Sequence, residues 1–239
     1  MNLLFALLLN YRKLEMISRF EMISDLMLLS DFDGTIVDVD TGSAALSKFA
    51  DGDWETIEKQ VALEQITFEE SLRREFSMIA APELTIVNEM DAVAIVRPHF
   101  AEMVNYCRQM QIPFIITSGG LDFVIRHFMS KKRVDDYVRV YAPKAECRPD
   151  GIQLDFPKLH DPTSYSFKDD LVAHYQRSGH RVAYIGDGHA DYYALRKADY
   201  AFAMKGSPSA QRCRKEKIKF EEIADFQAVL DVLPKIIQR

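Results

Sequence analysis

The chain has 239 residues, enough for one sizeable core or for a core with a small accessory domain. Hydrophobic residues make up 48% and charged residues 28%, and the formal net charge is −6. That acidic balance argues against non-sequence-specific nucleic-acid binding, which needs a basic face, but leaves room for a phosphorylated small molecule in a locally positive pocket. The cysteines Cys107, Cys147 and Cys213 are widely spaced and form no CxxC pair. They read as free thiols in a reducing compartment, so a cytoplasmic protein without disulfides or a zinc site is expected.

Residues 1–25 read as an N-terminal extension. Leu3 to Leu9 is an apolar run of seven residues, far short of the roughly 20 needed to span a bilayer. Arg12 and Lys13 follow the run instead of preceding it, and no A-x-A-like site comes after, so neither a membrane span nor a secretory signal is expected. Leu14, Ile17 and Phe20 have helical spacing, and Met22 or Met27 would serve equally well as the start.

Leu26 to Ser30 is a short apolar run that ends in a carboxylate-and-glycine turn, the pattern of a buried parallel strand. About 80 residues then separate Asp31 from the next such run, Ile112 to Thr117, whereas a crossover needs only ~10–12 plus its helix. The interval holds helical stretches at Gly42 to Phe49, Trp54 to Glu64, Phe68 to Ile79 and Thr85 to Met90. It is expected to be an inserted helical subdomain, residues 42–96, over the carboxyl ends of the strands, where open α/β sheets bind ligands. Further strands are predicted at Arg181 to Gly186 and Asp199 to Met204, and helices at Phe100 to Gln109, Leu121 to Ser130, Lys168 to Arg177 and His189 to Ala198. Tyr137 to Ala142 and Ile152 to Phe156 alternate in polarity around Arg148-Pro149-Asp150-Gly151 and predict a hairpin arm or an edge strand pair. The fold class expected is α/β: a Rossmann-like parallel sheet built from 26–41 and 97–239, with helices on both faces and the helical insertion as a cap.

Four clusters carry chemistry. Asp31 and Asp33, at i and i+2 after the first strand, can act as a nucleophile that takes up a phosphoryl group and as the acid that protonates the leaving alkoxide. Gly34 lets the backbone pass close to a phosphate and Thr35 adds a hydroxyl. Ser118, with Gly119 and Gly120, lies between the second strand and a helix, where backbone N–H groups and a hydroxyl form an anion site. Asp187 and Asp191 follow the third strand; Asp187 with Asp31 offers hard oxygen ligands to Mg2+, and Asp191 sits one helical turn on. A cation is also needed against the phosphoryl oxygens. Lys168, at the start of the helix before the third strand, is the first choice and Lys144, in the hairpin segment, the competitor. Each cluster alone is also ordinary sequence for a turn, an N-cap or a solvated charge.

In this order, Asp-x-Asp-Gly-Thr, Ser-Gly-Gly, a lysine and Gly-Asp-Gly-x-x-Asp resemble the haloacid dehalogenase superfamily of phosphohydrolases over roughly residues 26–235. The resemblance implies Asp31 as nucleophile and Asp33 as general acid/base. It implies magnesium on the carboxylates of Asp31 and Asp187 and the backbone carbonyl of Asp33, phosphate on Ser118 and Lys168, and Asp191 in support. The position of the insertion and the segment Arg97-Pro98-His99-Phe100 resemble the phosphoserine-phosphatase-like subgroup, with His99 in place of its glycine. Phe68 to Glu75 resembles that subgroup's cap helix, but the arginine that holds the serine carboxylate falls on Glu75, which would repel it, and Arg74 could substitute only in a different register. Ile112 to Phe123, Gly151 to Pro157 and Ala201 to Met204 are similar to phosphatases acting on 2-hydroxy-3-keto-5-methylthiopentenyl-1-phosphate, without the cysteine-rich tract some carry before the lysine. Expected, then, is magnesium-dependent hydrolysis of a small phosphorylated metabolite by a monomer or homodimer with no membrane or nucleic-acid partner. Phosphoserine hydrolysis and phosphotransferase or mutase chemistry stay as alternatives. Trp54, Phe68, Phe76 and Met78 could line an apolar pocket, although residues at such helical spacing are more often the core of the cap, and His189 is expected at the pocket edge.

Overall fold

A computed structural model describes residues 24–63 and 65–237. The apolar run Leu3 to Leu9 and the helical spacing of Leu14 to Phe20 lie outside the described residues.

Strand β1 (Leu26–Ser30) is buried along its whole length. Its side chains alternate between two cores: Leu26 and Leu28 join the larger apolar cluster, Met27 and Leu29 a smaller one on the opposite face. A strand buried on both faces needs covered neighbours, and β1 has one on each side. It pairs in parallel with β2 (Phe114–Thr117) and with β6 (Arg181–Gly186). Beyond these lie β3 (Arg139–Tyr141) on one side and β7 (Tyr200–Met204) and β8 (Glu221–Ile223) on the other. The six-stranded order is β3-β2-β1-β6-β7-β8, every pairing parallel. Strand order reverses between β1 and β6, which opens a crevice at their carboxyl ends. The register aligns Ser30 with Ile116 of β2 and with Ile185 of β6, so the turns after all three strands emerge together.

Helices α1 (Thr41–Phe49), α2 (Trp54–Ala62), α3 (Phe68–Phe76) and α4 (Glu83–Val93) fill the long interval after β1. Asp40, Asp53 and Thr67 cap the first three with their side-chain oxygens. The chain leaves and re-enters the sheet at one place, where Val37 bridges Val96 and Arg97 N–H donates to the carbonyl of Ile36 at 2.8 Å. The remaining helices, α5 (Phe100–Gln109), α6 (Asp122–Lys131), α7 (Phe167–Arg177), α8 (Asp191–Lys197), α9 (Pro208–Lys215) and α10 (Gln227–Ile237), pack around the sheet. No helix among the described residues is long and apolar enough to cross a membrane. The three cysteines are free thiols, Cys107 and Cys213 buried and Cys147 half-buried.

One expected pairing is corrected. Tyr137 to Ala142 does not pair with Ile152 to Phe156; its centre, β3, is the parallel edge strand beside β2, with Ile115 opposite Arg139. The hairpin is formed by β4 (Lys144–Arg148) with β5 (Gly151–Asp155). Alternating polarity marks any half-buried strand and does not name its partner. Strand β8 gives no sequence signal because two of its three residues are exposed. The hairpin leans on α3: Arg73 donates to the carbonyl of Leu154 and stacks on Phe156, its guanidinium carbon 4.6 Å from the ring centroid.

Candidate active site

The turns at the carboxyl ends of β1, β2 and β6 bring Asp31, Ser118 and Asp187 to one cavity of about 390 Å³ that is roofed by α1, α2 and α3. Asp31 is 5% exposed. Its Oδ1 accepts from Phe32 N–H at 2.7 Å and lies 2.9 Å from Lys168 Nζ. Burial, reinforced by the like charge of Asp191, pushes its carboxyl well above the usual range despite that lysine. Asp33 is held from the other side: Thr41 donates its backbone N–H at 2.8 Å and its hydroxyl to Oδ1, and Ser118 Oγ stands 3.5 Å from Oδ2. Burial first, and then the charge of Asp40, raise the Asp33 carboxyl to about 7.

Gly34 has φ +66°, and a Cβ there would overlap the Asp187 carboxylate. The turn therefore needs glycine both for its backbone angle and for the approach of Asp187. Thr35 Oγ1 donates to Asp187 Oδ1 at 2.8 Å. Arg97 ties the turn down with hydrogen bonds to the carbonyls of Gly34 at 3.0 Å and Thr35 at 3.1 Å. Two residues on, His99 adopts a left-handed φ of 64° at the start of α5, a conformation that suits the glycine the resemblance expects there.

Lys168 is 4% exposed and sits between Asp31 and Asp191, with Nζ 2.8 Å from Asp191 Oδ1. Burial alone would lower its pKa, but the carboxylates of Asp191 and Asp31 outweigh that and keep it charged. Lys144 lies exposed on β4 and does not reach the cavity. Asp191, fully buried, accepts from Lys168 and from Tyr184 at 2.7 Å on Oδ1, and from the N–H groups of Asp187 at 3.1 Å and Gly188 at 2.8 Å on Oδ2. Burial opposes its charge, yet Lys168 and these donors hold its pKa below the usual carboxylate value.

Ligand-capable oxygens of Asp31, Asp187 and Asp191 lie within 4.8 Å of one another. The hydrogen bonds of Asp191 already use both oxygens. Asp31 meets Phe32 N–H and Lys168 on Oδ1, and Asp187 accepts from Thr35 on Oδ1, so both carboxylates keep acceptor capacity for a cation. Burial, then Asp191, raise Asp187 to about 6, and burial with Asp191 raises Asp31 as well, the mark of negative charge that Lys168 does not balance. A hard dication with oxygen ligands fits that donor set.

Sequence reasoning missed three supports. Tyr184 lies inside β6 and looks like any core aromatic; Thr41 and Arg97 reach the Asp33 turn from outside its motif. Of the four apolar residues weighed between pocket and cap core, Phe68 and Phe76 line the cavity, and Trp54 and Met78 do not. His189 lines its edge. Gly119 faces α3 so closely that a Cβ would stand 2.8 Å from Leu72 Cδ1 and 2.9 Å from Phe68 Cζ. Glu75 points into the cavity, and Arg74 turns outward to pair with Glu70.

Comparison with known proteins gives the family and the fold. Residues 28–196 match the family model of the haloacid dehalogenase-like hydrolases. A 2-hydroxy-3-keto-5-methylthiopentenyl-1-phosphate phosphatase of Brevibacillus brevis is 28% identical over 91% of this chain and 99% of its own length. A phosphoserine phosphatase in a phospho-aspartyl intermediate analogue state superposes with a TM-score of 0.64 at 19% identity, over 87% of this chain and 98% of the other. A substrate-bound phosphoserine phosphatase gives 0.62 at 17% identity, over 86% and 96%. These two structures are alike in fold. Taken with the match over most of its length, the chain belongs to the haloacid dehalogenase-like hydrolase family and has the phosphoserine phosphatase fold.

Proposed function

We propose that this protein is a magnesium-dependent phosphomonoesterase that works through an aspartyl-phosphate on Asp31. The observation that carries this reading is the contact of buried Asp31 with Lys168 at 2.9 Å, in a cavity that Asp33, Ser118 and Asp187 also line. The carboxylates of Asp31 and Asp187 and the backbone carbonyl of Asp33 would hold magnesium, which when bound supplies positive charge beside the phosphoryl oxygens. Lys168, Ser118 and the N–H group of Gly119 bind and orient the phosphate; Gly34, whose own N–H donates to the Val39 carbonyl at 2.9 Å, shapes the turn, and Thr35 steadies Asp187. An Asp31 carboxylate oxygen attacks phosphorus as the bond to the alcohol oxygen breaks, and the Asp33 carboxyl gives its proton to that oxygen. Asp33, now a carboxylate, takes a proton from water, whose oxygen attacks the phosphorus of the aspartyl-phosphate. Inorganic phosphate leaves and the Asp31 carboxylate is restored. Asp191 keeps Lys168 and the Asp187 turn in place.

In this reading residues 42–96 are the cap over a core of 26–41 and 97–239, and they exclude bulk water during transfer. The substrate is a small phosphorylated metabolite. Full-length relatives named for 2-hydroxy-3-keto-5-methylthiopentenyl-1-phosphate make that ester one to assay. Phosphoserine is disfavoured, because Glu75 sets a carboxylate where its own carboxylate would come. The test is hydrolysis of p-nitrophenyl phosphate with magnesium. Asp31→Asn should lower kcat by about a thousand-fold or more, and removal of the metal by chelation should abolish turnover. Full activity in Asp31→Asn would overturn the assignment. Product analysis with and without an acceptor alcohol separates hydrolysis from phosphotransfer.

A further inference from the structure

The roof of the cavity is chemically unlike its floor. Glu75, on the inner face of α3, is 4% exposed, and its Oε1 is buried without a hydrogen-bond partner. An unpaired buried acceptor costs roughly 1–3 kcal/mol, more when charged, so such a group in a cavity wall points to a donor that arrives from outside. Among the described residues, the charged groups that face it from neighbouring helices are Glu58 on α2 and Asp40 at the cap of α1, both acidic. The cations on its own helix are engaged elsewhere: Arg73 on the Leu154 carbonyl and Phe156, Arg74 on Glu70. Lys168 is spent on Asp31 and Asp191 at the floor. The rings of Phe68 and Phe76, on the same helix as Glu75, also line the cavity.

We propose that the alcohol released from the phosphate ester bears an ammonium group, which Glu75 receives with the help of Glu58 and Asp40 against the faces of Phe68 and Phe76. This inference rests on the phosphatase reading and names its substrate class, the aminoalkyl phosphates. A cation is the donor that satisfies Oε1 and offsets three neighbouring carboxylates at once, and aromatic faces favour it further. Burial, then the charges of Glu58 and Asp40, raise the Glu75 carboxyl to about 7, the state of a site whose counter-charge belongs to the ligand. A carboxylate at the same position in the substrate would meet only like charge.

The test compares kcat/KM with magnesium for phosphoethanolamine, 2-hydroxyethyl phosphate and phosphoglycolate, which place an ammonium, a hydroxyl and a carboxylate at similar reach. Phosphoethanolamine is expected to lead the hydroxyl ester by about ten-fold or more and the carboxylate by about a hundred-fold or more. Glu75→Gln should bring the first ratio to within about three-fold, mainly through KM for phosphoethanolamine, and Glu58→Gln should shrink it less. A wild-type enzyme that turns over the hydroxyl ester as well as phosphoethanolamine overturns the proposal without any variant. So does a ratio unchanged in well-folded Glu75→Gln. Asp31-dependent hydrolysis of p-nitrophenyl phosphate, run alongside, separates the two levels. If it is present and the ratio fails, only the ammonium site falls; if it is absent, the phosphatase reading falls as well.

Discussion

Glu75 also makes a claim on stability. Its carboxyl titrates near 7 in the fold against 4.5 ordinarily, with burial the main cause and Glu58 and Asp40 adding to it. The folded protein therefore holds a proton that the unfolded chain has released, and stability falls as pH rises from 4.5 to about 7. Glu75→Gln removes that penalty. Without substrate, its Tm should match the wild type near pH 4.5 and exceed it above pH 7, by a difference worth up to about 3 kcal/mol. Thermal melts at both pH values check this, and a variant no more stable at the higher pH contradicts it. Glu75 was legible in the sequence as a departure from an expected arginine, because helical register alone decides which side chain faces inward. Asp31, Ser118, Asp187 and Asp191 were legible because short spacing at a strand end fixes position. Tyr184 was not: only the fold shows its hydroxyl 2.7 Å from Asp191.

Helix α3 divides its work by the 3.6-residue period. Phe68, Ser71, Leu72 and Glu75 form the stripe that lines the cavity. Glu69 and Arg73, on the next stripe, reach the rest of the protein: Glu69 accepts from Phe167 N–H at 3.1 Å at the start of α7, and Arg73 grips β5. The helix thus joins the cavity to the hairpin, and Gly151 is where the two meet. It has φ +131°, and a Cβ there would run into the backbone carbonyl of Ser77 just past the end of α3. Gly179, at φ +90°, has nothing within 4 Å of such a Cβ. Gly151→Ala should therefore cost about 2–4 kcal/mol in denaturant unfolding, against about 1 for Gly179→Ala, since both pay the backbone angle but only one meets backbone. Equal losses would show that the hairpin and α3 are not firmly docked. This contact could not be read from the sequence, where Pro149-Asp150-Gly151 announces a turn and not what the turn touches. The helices of the interval were legible from periodicity, and the pairing of β4 with β5 was not, because β4 was absorbed into the turn.

Across the whole molecule, the parallel sheet builds the floor of the cavity and the long interval after β1 builds its roof. The two parts meet through the backbone where Asp38 N–H donates to the Ile95 carbonyl at 3.0 Å, and through side chains elsewhere. Phe68 lies 6.3 Å, centroid to centroid, from Phe167, and Gly119 leaves room for Leu72. In the proposed reaction this roof would lift to admit substrate while the sheet stays intact. The parallel sheet was foreseeable in the alternation of strands and helices, but the order of its strands, the partner of β3 and the existence of β8 were not. The chain's single tryptophan, Trp54, opens α2 and is packed half-buried against the larger apolar core, clear of the cavity. With one indole in the chain, every change in tryptophan emission comes from the roof. Addition of magnesium with vanadate should shift or quench that emission if the roof settles on an occupied floor, and Asp31→Asn should weaken the response; a spectrum that ignores both ligands would mean α2 stays put. The protein thus carries its own optical reporter, and the roof movement proposed here would be timed by stopped flow in unlabelled protein.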